Sequence, residues 1–143
     1  MIAQNQGRNR LETQKWACYG FSLCWWGWHE TNLNLSAEMI DRDLYHLWQK
    51  KGWMTETWFI KRPDLIMDWM GVKVKEVRKE GADYKLKKTD IVIGQWKAGQ
   101  EMSHFVPIYP NGQVAYDPWW SKEGGSKAVR EGSLISYRIF PRR

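Results

Sequence analysis

An α+β fold is what the order of patterns along this chain predicts. Apolar residues at helical spacing dominate the first half, and period-two alternation dominates the second. An Asn-Gly pair joins two of the alternating segments. Together these imply N-terminal helices packed on a mostly antiparallel sheet.

The elements follow in order. Residues 1–13 are polar and are expected to be loosely ordered ahead of one domain that spans residues 1–143. "WACYGFSLCWWGW" reads as a short apolar helix that opens near Cys18 and is stopped by Gly27. "NLNLSAEMIDRDLYHLWQKKGW" is the clearest helix, with Ser36 as N-cap and Ile40, Leu44, Leu47 and Trp48 on one face. Lys50 and Lys51 suit its C-terminal end, and Gly52 suits the C′ position. "MTETWFI" is a short strand or extended link, and "RPDLIMDWMG" is a third helix between Pro63 and Gly71. "VKVKEV", "DIVIGQW", "HFVPIY", "QVAYD" and "LISYRIF" are the strands. A glycine-rich loop, "SKEGGSKAVREGS", precedes the last of them.

The chain has 143 residues, enough for one core, and no apolar run long enough for a membrane span. No export signal opens it, so a cytoplasmic protein is expected, with any release to the cell wall left to a separate holin. A net charge of +6 favours acidic partners. The densest basic run, 73–88, mixes seven Lys/Arg with three acids and reads as a solvated strand and loop. The eleven tryptophans are too many for a core this small, so some are expected to line a groove. Cys18 and Cys24 on one helix are roughly 9 Å apart along its axis, too far for a disulfide. With His29 they lack the spacing of a zinc site, and no metal or organic cofactor is expected.

"SHFVPIYPNGQVAYDPWW" places His104 and Asp117 on the two arms of one hairpin. If Asn111 and Gly112 alone form the turn, Asp117 lies opposite Val106 and His104 opposite Trp119. The two are then diagonal neighbours on one face, about 7–8 Å apart between Cα atoms. A slip of one residue would put them on opposite faces. An imidazole held by a carboxylate is the orienting half of a triad. Cys18, at a helix start where unpaired N–H groups favour a thiolate, is the candidate nucleophile. Gln14, four residues upstream, is a candidate oxyanion donor beside the backbone N–H groups. Cys24 reads as structural, and His29 and His46 as surface or cap residues.

"QKWACYGFSLC" followed by "SHFVPIYPNGQVAYDPW" resembles the compact bacterial form of the papain-like cysteine peptidase superfamily. It is similar to bacteriocin-processing-like peptidases, and to a small uncharacterised family from spirochaete plasmids and phages that shares a Cys-Tyr-x-x-Ser-Leu-Cys helix start. The resemblance covers roughly residues 14–140. It implies a papain-like fold with Cys18 as nucleophile, His104 as base and Asp117 as orienting residue. It also implies that Trp119 shields the His–Asp hydrogen bond. Trp16, Tyr19, Trp119 and Trp120 are the residues expected at the substrate groove or its shielding.

The expected function is therefore a cysteine peptidase or amidase that needs no cofactor. Its substrate would be a peptide or the peptide part of peptidoglycan, as for a phage-type endolysin. The alternative is an inactive module that uses tryptophans and positive charge to bind glycan, peptide or single-stranded nucleic acid.

Overall fold

The computed structural model describes residues 2–143. Helices α1 (Leu11–Trp16) and α2 (Cys18–Thr31) follow each other with only Ala17 between them. Next come α3 (Ala37–Met39), a wider turn at Ile40–Leu44, and α4 (Tyr45–Lys50). Ser36 caps α3 by accepting a hydrogen bond from the Met39 N–H at 3.1 Å, as its sequence position predicts. Helix α5 (Pro63–Trp69) has proline in its first turn, and Gly71 beyond its end takes φ = 90°.

Four strands complete the α+β fold: β1 (Arg78–Gly81), β2 (Ile91–Lys97), β3 (His104–Ile108) and β4 (Ser133–Phe140). They form one antiparallel sheet in the order β1-β4-β2-β3, and α6 (Lys127–Glu131) precedes the last strand. Pro107 is tolerated because β3 is an edge. One core joins Phe21, Trp26, Ile40, Trp48 and Ile66 of the helices to Ile91, Ile93 and Phe140 of the sheet. Among the described residues no helix is long and apolar enough to cross a membrane.

Three expectations change. Helix α2 runs through Gly27 and ends at Asn32, which takes the left-handed conformation (φ = 61°). Gly27 is not a stop but a contact point, because a Cβ there would meet Met70 Sδ at 2.6 Å. The stretch "VKVKEV" buries Val72 and Val74 and exposes Lys73 and Lys75, yet makes only an isolated bridge, Val74 with Arg142. The ladder begins after it, at Arg78. Third, the N-terminal segment is docked rather than loose. Gln4, Asn9 and Thr13 are buried, and Gln4 N–H donates to the Pro118 carbonyl at 2.8 Å.

Candidate active site

Helix α2 is fastened to the sheet by residues spaced four apart on one face. Trp26 Nε1–H donates to the Val92 carbonyl of β2 at 2.8 Å. Ser22 Oγ lies 3.1 Å from the Phe105 carbonyl of β3 and 2.7 Å from the Cys18 carbonyl, its one proton shared between them. One turn earlier on that face stands Cys18, the first residue of α2. Its Sγ accepts from the Phe105 N–H at 3.5 Å. The outer edge of β3 at Phe105 is thus covered by the helix, and its N–H is committed to the sulfur. As the first residue of a 14-residue helix, Cys18 also has a backbone N–H without an intrahelical acceptor.

His104 opens β3, one residue before Phe105, and is buried. Its Nε2 lies 2.6 Å from Asp117 Oδ1. Burial pulls the imidazole pKa down. Hydrogen bonds to Asp117 and Cys18, with the charges of both, outweigh it and raise His104 from 6.5 to about 9. Asp117 shows the converse. Burial pushes its carboxyl up, but hydrogen bonds from His104, Ser126 and Trp119 and the charge of His104 hold it below its ordinary value. Cys18, His104 and Asp117, predicted from opposite ends of the chain, meet in one place.

The route by which Asp117 arrives differs from the predicted hairpin. Gly112 takes φ = 92° but Asn111 does not take a positive φ, so the two-residue turn is absent. Gly112 N–H instead donates to the Tyr109 carbonyl, and Tyr109 N–H to the Gln113 carbonyl. The loop has three residues, starts with Pro110 and ends in a left-handed glycine. Val114 therefore pairs with Ile108, one residue out of the expected register. Ala115 N–H still donates to the Pro107 carbonyl, and residues 116–120 then leave the sheet. Because Asp117 sits on that irregular stretch, the face rule no longer applies to it.

What holds Asp117 is a set of groups the sequence reading missed. Ser126 donates to Oδ2 with both its N–H and its hydroxyl, each at 2.8 Å, and Trp119 N–H donates to Oδ1 at 3.0 Å. Gly125, at φ = 86°, lets the loop pass close, since a Cβ there would lie 3.0 Å from Oδ2. Ser126 also caps α6 through Val129 N–H. A serine just before a helical stretch was the available signal.

Other expected site residues divide. Trp16 and Tyr19 line a groove of about 870 Å³ over Cys18, together with Trp58, Phe59 and Phe105. Trp119 and Trp120 do not. They line a separate pocket of about 400 Å³ against Ile2 and Val114, and Trp119 serves Asp117 through its backbone N–H. The Gln14 amide donates to the Asn9 carbonyl at 2.7 Å and so pins the N-terminal segment. Cys24 and Cys18 are both free thiols, and burial raises the Cys24 pKa well above the ordinary thiol range. His29 stacks on Trp25 at 4.9 Å.

A protein-family model, DUF261, described as a protein of unknown function, matches residues 1–142. The chain belongs to the DUF261 family. No curated protein and no solved structure matches it at a significant level of similarity. Chemically, this DUF261 chain presents a thiol, an imidazole and a carboxylate in series beneath a groove. That series can move a proton away from a sulfur nucleophile and return it to a leaving group.

Proposed function

We propose that the protein is a cysteine hydrolase of papain-like type that cleaves an amide bond. The observation that carries the reading is the buried cluster in which Asp117 holds His104 Nε2 at 2.6 Å while Cys18 Sγ sits on the N–H of the adjacent Phe105 and acts on the His104 imidazole. The Cys18 thiolate forms a C–S bond to the substrate carbonyl carbon, and the carbonyl oxygen takes up the displaced electron pair near the Cys18 N–H. As that oxyanion collapses, the C–N bond breaks and the His104 imidazolium gives its proton to the leaving amine. His104 then takes a proton from water, whose oxygen attacks the thioester and releases the acid and the thiol. Asp117 keeps the ring oriented and stabilises its charged form. The aromatic and basic groove suits a peptide, including the peptide part of peptidoglycan.

The test is the pH profile of iodoacetamide labelling at Cys18 in a Cys24→Ser background, with and without His104→Ala. Labelling is expected below neutral pH when His104 is present, and only above about pH 8, as for an ordinary thiol, when it is absent. Identical profiles would remove the Cys–His pair and the reading with it. Cys18→Ser is expected to abolish cleavage of purified peptidoglycan or peptide substrate. The same groove, with exposed Trp16 and Phe59 beside Lys15 and Lys61, favours a second reading as a binding module. In that case Cys18→Ser leaves binding of a single-stranded oligonucleotide or glycan intact, and added salt weakens it.

A further inference from the structure

The groove over Cys18 contains a half-buried cation for which the fold supplies no acid. Arg138, on the central strand β4, has one guanidinium nitrogen 2.8 Å from Ser136 Oγ and another 3.5 Å from Gln95 Oε1. Ser136 Oγ–H in turn donates to Gln95 Oε1 at 2.7 Å, and Gln95 Nε2 donates to Ser103 Oγ at 3.0 Å. This neutral relay fixes the guanidinium from behind without cancelling its charge. In front, its Cζ lies 5.4 Å from the centroid of the Phe105 ring, the residue whose N–H touches Cys18 Sγ. Arg10, Arg42, Arg62, Arg142 and Arg143 each reach a carboxylate. Arg138 reaches none among the described residues, although burial disfavours its charge. A charge kept in that setting is stabilised by whatever acid the groove admits.

The rest of the lining agrees in sign. Lys15, Lys61 and Lys97 face the same groove, and its one acid, Glu101, lies 3.6 Å from Lys127 Nζ. A peptide entering here meets positive charge in the groove and, at Arg138, a planar fork matched to a carboxylate.

We propose that Arg138 is a specificity residue that binds a carboxylate of the substrate, so that the preferred peptide carries an acidic residue next to the bond presented to Cys18. The proposal rests on the hydrolase reading above.

Peptidyl chloromethyl ketones test it, because they alkylate an active-site thiol without requiring turnover. Benzyloxycarbonyl-Ala-Glu and -Ala-Gln reagents, and the pair with the two positions exchanged, are reacted with the full chain carrying Cys24→Ser. Labelling at Cys18 is followed by intact mass. In at least one pair the Glu reagent is expected to react about tenfold faster than the Gln reagent, the worth of one charge-assisted hydrogen bond. The ratio falls to about one in Arg138→Gln and to an intermediate value in Arg138→Lys, which keeps the charge without the fork. In the unsubstituted Arg138 protein, sodium chloride raised toward 1 M erodes the ratio, a readout that does not depend on a variant folding. Equal rates in both pairs, or a preference that survives Arg138→Gln with an unchanged circular dichroism spectrum, would overturn the proposal. Failure of the hydrolase reading is separately visible, as iodoacetamide labelling of Cys18 that does not depend on His104.

Discussion

Asp117 accepts four hydrogen bonds, two at each carboxylate oxygen, and only one of them comes from His104. The other three belong to the loop that carries it and to the loop that follows. Ser126→Ala removes the hydroxyl donor to Oδ2 and the cap of α6 in one step. A loss of about 1–2 kcal/mol in urea unfolding is expected. That Cys18, His104 and Asp117 belong together was legible at this scale, because each stands where local pattern makes it conspicuous. Ser126 and Gly125 were not, since a run of Ser, Lys, Glu and Gly reads as solvated linker until the fold brings it against a carboxylate. The bond from the Gln14 amide to the Asn9 carbonyl was not legible either, because position along the chain says nothing of which partner a side chain meets.

At the level of elements, α2 carries Cys18 and is seated by close approaches at its glycines. A Cβ on Gly20 would lie 2.5 Å from Trp58 Cζ3. That ring cannot retreat, because its Nε1–H donates to Thr13 Oγ1 at 3.0 Å inside the core and its backbone holds φ = 61°. Gly20→Ala is therefore expected to destabilise by about 1–3 kcal/mol by denaturant titration, outweighing the gain in helix propensity. Gly27 looked like a stop in the sequence, since its reason lies in Met70, some forty positions away. The hairpin is the complementary case. Asn-Gly correctly marked a turn, but Pro110 and the single positive φ at Gly112 select the three-residue form. The slip of one residue cost nothing because Asp117 leaves the sheet before it is placed.

For the whole molecule, the buried imidazolium–carboxylate pair ties stability to pH. His104 is raised from 6.5 to about 9, so its contribution is complete below pH 6.5 and is lost as pH rises through 9. Asp117 is shifted the opposite way, so its contribution is present above the ordinary carboxylate range and is lost as pH falls. Urea unfolding at pH 6 and pH 10 should show wild type losing on the order of 3 kcal/mol relative to His104→Gln across that alkaline span. A difference that does not change with pH would remove the charged pair. The α+β architecture was legible from the order of patterns, and the surplus of tryptophan did mark a groove, through Trp16 and Trp58. The docking of residues 2–13 was not legible. Gln4, Asn9 and Thr13 are polar, and they are buried because each meets a specific partner rather than because the segment is apolar.

The sheet order places β4, the last strand in the chain, between β1 and β2. A growing polypeptide that has not yet released residues 133–140 from the ribosome has no partner for β1, only one neighbour for β2, and no Arg138 in its groove. Cys18, His104 and Asp117 have all been synthesised by then, but the scaffold that aligns them has not closed. On the proposed hydrolase reading, a chain cut short before Ser133 carries Cys18, His104 and Asp117 and should hydrolyse nothing.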